Sequence, residues 1–153
     1  MPEIGDKAPA FSTGGDGGGT VQLSDYKGRK VVLYFYPKDD TPGCTKEAIA
    51  FSQLLPQFDE AGAAIIGVSP DTPAKHDKFK AKHELTVALA SDEDKAICEA
   101  YGVWVEKNMY GRKYMGVERS TFLIDEKGKI ANVWRKVKVK GHAEAVLEAA
   151  QSL

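Results

Sequence analysis

Cysteine is scarce in this chain of 153 residues, which holds only Cys44 and Cys98 and has no C-x-x-C pair. A disulfide framework needs more thiols than this, and a dithiol oxidoreductase needs two cysteines separated by two residues. No apolar run reaches the length of a membrane span, and the first residues are too polar for a secretory signal. We therefore expect a cytoplasmic protein, in which a cysteine is more often catalytic or incidental than part of a structural bridge.

An excess of charge of one sign is also absent, because 21 basic and 22 acidic side chains leave a formal net charge of −1. This balance gives no reason to expect nucleic acid or an anionic membrane as a partner. The three histidines, His76, His83 and His142, lack the spacing of metal ligands, so we expect neither a metal nor another cofactor. The glycine-rich residues 14–19 have no phosphate-loop spacing and predict a hairpin turn.

Apolar runs alternate with helical patterns along the chain. Strands are predicted at residues 31–36, 63–69, 86–91, 119–124 and 130–137, and helices at 41–61, 73–83, 92–101 and 142–151. Pro56 predicts a kink or break in the first helix, and Gly111 a turn within the mixed segment 103–118. The alternating lysines of residues 136–140 predict an edge strand. The order of elements predicts an α/β fold, a central mixed sheet flanked by helices in one domain of residues 1–153.

Cys44 follows the strand predicted at residues 31–36 and lies in the first turn of a predicted helix. Thr41 suits the N-cap of that helix, and Pro42 suits its first position. Backbone N–H groups of a first turn lack helical partners and the helix dipole adds positive charge, which favours a thiolate. The alternative is a small, inert core side chain. Because open α/β sheets place their sites beyond the ends of central strands, we expect Cys44 to be a nucleophile.

The segment Pro37–Cys44 fits the pattern P-x-x-x-T-x-x-C, and Arg119 opens the sequence Arg-Ser-Thr-Phe-Leu-Ile-Asp. This combination resembles the peroxiredoxin family, in particular its Q-type branch of bacterioferritin comigratory proteins, over nearly the whole chain. The resemblance implies a thioredoxin-like fold and a thiol peroxidase that reduces hydrogen peroxide and organic hydroperoxides. The alternative is a non-enzymatic redox sensor or chaperone that uses the same oxidisable thiol. A cysteine hydrolase would need a histidine base beside Cys44, and no histidine lies at a strand end that obviously faces it.

The resemblance also implies roles for individual residues. Cys44 would attack the peroxide and become a sulfenic acid. The hydroxyl of Thr41 and the backbone N–H of Cys44 would align the peroxide, and Arg119 would keep the sulfur ionised. Pro37 would shield the thiolate from solvent. The remaining candidates are Glu47, which would orient the arginine, and Gly43, which is expected to help orient the substrate.

Recycling of the sulfenic acid is where the chain departs from many Q-type relatives. Their resolving cysteine lies five residues after the first, where this chain has Ile49, or on the next helix, where it has Lys80. Cys98 is the only other thiol, and we expect it to be inert. The alternative is that Cys98 resolves the sulfenic acid, which would require local unfolding because a disulfide needs Cα atoms within about 7 Å. A one-cysteine mechanism is therefore predicted, with thioredoxin, glutaredoxin or a low-molecular-weight thiol as reductant. The polar helix at 73–83 and the lack of a long C-terminal arm favour a monomer.

Overall fold

The computed structural model describes residues 2–153. The strands and α-helices, in chain order, are β1 (Ser12–Gly14), β2 (Thr20–Gln22), β3 (Lys30–Phe35), α1 (Pro42–Glu60), β4 (Ala63–Ser69), α2 (Pro73–His83), β5 (Ala88–Ser91), α3 (Ala96–Ala100), β6 (Trp104–Met109), β7 (Arg112–Val117), β8 (Ser120–Ile124), β9 (Ile130–Trp134) and α4 (His142–Ser152). Two short 3-10 helices, Asp16–Gly18 and Leu23–Tyr26, flank β2. Five strands form the central sheet in the order β5–β4–β3–β8–β9. The strands β3, β4 and β5 are parallel, whereas β8 is antiparallel to both β3 and β9. The predicted central mixed sheet is confirmed.

Alternate residues of β3 divide the core into two parts. Val32 and Tyr34 belong to a cluster that includes side chains of α1, α2 and α4, and Cys44 lies in this cluster. Leu33 belongs to the cluster on the other face of the sheet, with the residues of α3. A strand buried on both faces is expected to be apolar throughout, and β3 is buried from its second residue onward.

The ring of Tyr34 lies across Gly67 of the neighbouring strand β4. A Cβ atom at position 67 would come within 2.7 Å of the Tyr34 hydroxyl oxygen. Because such a contact is far below van der Waals distance, β4 needs a glycine at this point for the aromatic ring to occupy its position.

Two hairpins lie outside the central sheet. The pair β1–β2 brackets the glycine-rich segment, so the predicted turn there is confirmed. The pair β6–β7 turns at Tyr110 and Gly111, which have φ of 51° and 79°. Two consecutive left-handed residues are typical of a tight two-residue hairpin. The sequence marked the turn at Gly111 but not the two strands, because most of their residues are partly exposed on both faces and show no clear alternation.

Helix α1 runs through Pro56 without interruption, so the predicted break is wrong. Proline removes the N–H that would bond the carbonyl of Ser52, four residues earlier. The hydroxyl of Thr86 lies 3.4 Å from that carbonyl oxygen, and the backbone N–H of Thr86 donates to the Ser52 hydroxyl at 3.1 Å. The buried side chains of Phe51 and Phe58 hold the helix on the sheet on both sides of the proline. Tertiary contacts thus replace the lost helical bond.

Two further predictions differ from the structure. The helix predicted from Asp92 begins at Ala96, because the Asp92 carboxylate accepts from the backbone N–H groups of Ile97 and Cys98 at 3.0 and 2.7 Å. Residues 136–140 form no strand, since β9 ends at Trp134 and a left-handed residue at 136 interrupts the pairing. Within residues 2–153, none of the helices combines the length and the apolar character that crossing a membrane requires.

Candidate active site

The loop after β3 leads directly into α1. Asp40, just before the helix, has φ of 61°, a left-handed value that is uncommon for a residue other than glycine. Thr41 then has an extended backbone at the N-cap, and Pro42 is the first helical residue, as predicted. The Thr41 side chain makes no capping bond, however; its hydroxyl donates to the carbonyl of Lys38 at 2.8 Å. The oxygen of that hydroxyl therefore keeps lone pairs with which to accept a hydrogen bond.

The sulfur of Cys44 is buried in the first turn of α1 and receives a hydrogen bond from Arg119. The Arg119 Nη2 atom lies 3.2 Å from Sγ, although the two residues are 75 positions apart. The pairing of β3 with β8 accounts for this contact, because Phe35 lies opposite Ser120 and Arg119 comes just before it. The backbone N–H of Cys44 precedes the first bond of the helix, which runs from Thr45 to Thr41.

Glu47, one turn after Cys44, holds the other side of the guanidinium. Its Oε1 accepts from Arg119 Nη1 at 2.6 Å, and its side chain is 1% exposed. Burial raises the pKa of Glu47 to about 7, against the opposing effect of Arg119. Burial alone would lower the pKa of Arg119, but Glu47 and Cys44 outweigh it and raise that pKa above its ordinary value. Arg119, a permanent cation, thus lies between the Cys44 sulfur and the Glu47 carboxyl group.

Gly43 and Pro37 complete the set of residues that the sequence singled out. A Cβ atom at position 43 would lie 3.3 Å from Arg119 Nη2, so the glycine lets the guanidinium lie close over the start of α1. Pro37 is half-buried just beyond β3. The structure therefore brings Gly43, Cys44, Glu47 and Arg119 into direct or near contact.

The sequence did not single out Lys107 or assign a role to His142. Lys107 on β6 is half-buried; burial and Arg119 lower its pKa, while the sulfur of Cys44 acts to raise it. A Cβ atom at position 116 would lie 3.3 Å from Cδ of Lys107. A glycine within a strand can indicate such a close approach. His142 begins α4, where burial and Arg119 lower its pKa to about 4. No pattern in the sequence predicts where His142 lies in the structure.

None of the three histidines has its hydrogen-bond partner at Cys44. His76 bonds Asp39, His83 bonds Asp40, and His142 bonds the hydroxyl of Thr121. A cysteine–histidine pair of the hydrolase type is therefore not formed within residues 2–153. Cys98 is fully buried in the core cluster on the far side of the sheet, and burial together with Asp92 raises its pKa.

Comparison with known proteins decides the family. The sequence model of the AhpC/TSA family matches residues 4–133. The chain belongs to the AhpC/TSA family. Peroxiredoxin Bcp of Bacillus subtilis is 56% identical over 99% of this chain and 94% of that protein. A putative peroxiredoxin bcp of Coxiella burnetii is 53% identical over 95% of this chain and 96% of that protein. The resemblance to Q-type peroxiredoxins is confirmed.

Solved structures agree with this assignment. A cysteine-to-serine mutant of PrxQ from Xylella fastidiosa has a TM-score of 0.94 at 44% identity, covering 99% of this chain and 97% of that one. The bacterioferritin comigratory protein of Xanthomonas campestris, studied for alkyl peroxide reduction, has a TM-score of 0.89 at 49% identity, covering 93% and 90%. This peroxiredoxin has the predicted thioredoxin-like fold and is a thiol peroxidase.

Proposed function

We propose that Cys44 is the nucleophile with which this peroxiredoxin reduces hydrogen peroxide and organic hydroperoxides. The observation that carries the proposal is the hydrogen bond of 3.2 Å from Arg119 to the Cys44 sulfur. A guanidinium is always charged, so it stabilises an anionic sulfur before attack and a developing oxyanion during it. The sulfur forms a bond to one peroxide oxygen while the O–O bond breaks. The other oxygen leaves as hydroxide or alkoxide and takes up a proton, and Cys44 becomes a sulfenic acid.

The surrounding groups would align the peroxide for this attack. The Thr41 hydroxyl donates to Lys38, so its oxygen is oriented to accept a hydrogen bond from a hydroperoxide O–H. The backbone N–H of Cys44, at the start of α1, supplies a donor for the peroxide oxygens. Glu47 would orient Arg119, which Gly43 allows to approach, and Pro37 would limit the access of water. All of these groups come from one chain, which supports activity as a monomer.

We infer a one-cysteine cycle from the positions of the two thiols. Cys44 and Cys98 belong to core clusters on opposite faces of the central sheet, so a bond between them would require large local unfolding. Burial also raises the pKa of Cys98, which makes it a poor thiolate for attack on a sulfenic acid. An external thiol would then reduce Cys44, whether thioredoxin, glutaredoxin or a small thiol. The cytoplasm, which keeps such thiols reduced, suits this cycle.

Single-turnover kinetics with hydrogen peroxide and an organic hydroperoxide test the proposal. We expect the reduced protein to consume one equivalent rapidly and Cys44→Ser to consume none. Arg119→Ala should be slower by about a hundredfold or more, the usual effect of removing a donor that stabilises transition-state charge. The matched control is Arg29→Ala, since Arg29 is an exposed arginine just before β3, at the opposite end of that strand. An unchanged rate in Arg119→Ala would contradict the assignment.

Mass spectrometry of the oxidised protein tests the recycling step separately. We expect a sulfenic acid on Cys44, no Cys44–Cys98 bridge under native conditions, and unchanged turnover in Cys98→Ser. Turnover with a panel of protein and small-molecule thiols would then identify the reductant. A native bridge between the two cysteines would refute the one-cysteine cycle without affecting the role of Cys44 in peroxide attack.

A further inference from the structure

Asp39, in the loop that leads from β3 to Cys44, is held from three directions. Its Oδ1 accepts from the Tyr36 hydroxyl at 2.6 Å, and its Oδ2 lies 2.7 Å from Nδ1 of His76 on α2. Its backbone N–H donates to Oδ2 of Asp71 at 2.8 Å, and Asp71 in turn accepts from Ser69. One residue of the active-site loop is thereby attached to the residue that follows β3, to α2 and to the segment after β4.

Both ring nitrogens of His76 face hydrogen-bond acceptors. Nδ1 faces the Asp39 carboxylate, and Nε2 lies 3.0 Å from the carbonyl oxygen of Ala90 on β5. The His76 side chain is 0% exposed, so bulk solvent does not reach either ring nitrogen. A neutral imidazole has one donor and one acceptor nitrogen, whereas an imidazolium has two donors. Beside an ionised Asp39, only the doubly protonated ring satisfies both neighbours, and an unsatisfied buried acceptor is costly.

We propose that His76 is an imidazolium and that, together with Asp39, it positions the loop that carries Thr41 and Cys44. The Asp39 carboxylate supplies the countercharge, and removing either member of a buried pair leaves the other without compensation. Fixing Asp39 also fixes the adjacent carbonyl of Lys38, which accepts the hydroxyl proton of Thr41. The orientation of that hydroxyl toward the peroxide therefore depends on a histidine of α2. The effect of His76 on the reaction rests on the proposed roles of Cys44 and Thr41. The protonation state of His76 does not depend on those roles.

Nitrogen-15 NMR of the reduced protein at neutral pH tests the protonation state directly. We expect the ring nitrogens of His76 to show the signature of an imidazolium, with protons on both. In Asp39→Asn the countercharge is gone, and the same ring should show the signature of a neutral tautomer. A neutral tautomer in the unsubstituted protein would overturn the proposal, whatever the kinetics show.

Kinetics of His76→Asn test the positioning role, with His83→Asn as the matched control. His83 lies on the same helix and bonds the neighbouring Asp40, but on the surface. We expect His76→Asn to slow peroxide reduction in a single turnover by about tenfold, because small misplacements of aligned groups are costly. Alkylation of Cys44 by iodoacetamide, which needs no alignment by Thr41, should change much less, and His83→Asn should change neither.

Two results would contradict the positioning role. Equal losses of both rates in His76→Asn would show general damage to the thiol environment, and unchanged peroxide kinetics would show that the pair does not act on the loop. Circular dichroism identifies a variant that fails to fold, in which case the same two rates measured in Asp39→Asn decide the positioning role and the NMR result decides the protonation state. A failure of the proposed function itself is distinguishable from these results, because in that case Cys44→Ser would still consume peroxide.

Discussion

The buried carboxyl of Glu47 gives a prediction about stability and pH that can be worked through from the structure. Its pKa is raised from an ordinary value of 4.5 to about 7, mainly by burial. In Glu47→Gln the side chain keeps nearly the same shape and a carbonyl acceptor for Arg119, but it cannot ionise. The two proteins therefore differ by a single titrating group, and all other ionisable side chains largely cancel in the comparison.

The sign and size of the effect follow from proton binding. Between pH 4.5 and about 7 the folded protein holds a proton on Glu47 that the unfolded chain has lost. Stability from this group is therefore complete below pH 4.5 and is lost as the pH rises through about 7. The shift corresponds to about 3 kcal/mol of unfolding free energy. Relative to the unsubstituted protein, Glu47→Gln should gain about this amount between pH 4.5 and pH 8.

Urea unfolding of both proteins at several pH values measures this difference. We expect the gap between their unfolding free energies to move in favour of Glu47→Gln as the pH rises. Glu60→Gln, an exposed position at the end of the same helix, controls for the substitution itself. A constant gap would show that the ion pair with Arg119 balances the cost of burying the charge, and a gap that moves toward the unsubstituted protein would show that it outweighs that cost. In either case the Glu47 carboxyl would be ionised at neutral pH.

Two further predictions concern glycines that make close contacts. Gly43→Ala places a methyl group 3.3 Å from Arg119 Nη2, so the guanidinium must shift; we expect peroxide reduction in a single turnover to fall about threefold to tenfold with unfolding free energy nearly unchanged. A lower unfolding free energy with an unchanged rate of peroxide reduction would contradict the expected displacement of the guanidinium. Gly67→Ala would bring a methyl group to 2.7 Å from the Tyr34 hydroxyl, and such overpacking should lower the unfolding free energy by about 1–3 kcal/mol. Unchanged urea unfolding would show that the ring moves aside freely.

The sequence was sufficient to place Cys44, the proposed nucleophile, at the start of a helix, because that part of the site is local. Thr41 and Pro42 define the start of α1 within a few residues, and this places Cys44 in its first turn whatever the rest of the chain does. The apolar run before it likewise defines a strand buried on both faces. Arg119, by contrast, could be selected only through the resemblance to peroxiredoxins, since a single arginine before a strand carries no signal of its own.

Only the tertiary structure decided what surrounds the sulfur. The register of β3 against β8 brings Arg119 to Cys44, and the packing of α1 on the sheet buries Glu47 enough to change its pKa. The side of the sheet on which α3 packs separates Cys98 from Cys44. The interaction of His76 with Asp39 joins residues 37 positions apart and has no local pattern. Local chemistry fixes where a helix begins, but burial and contacts between distant segments depend on how the elements pack, which short-range sequence patterns do not encode.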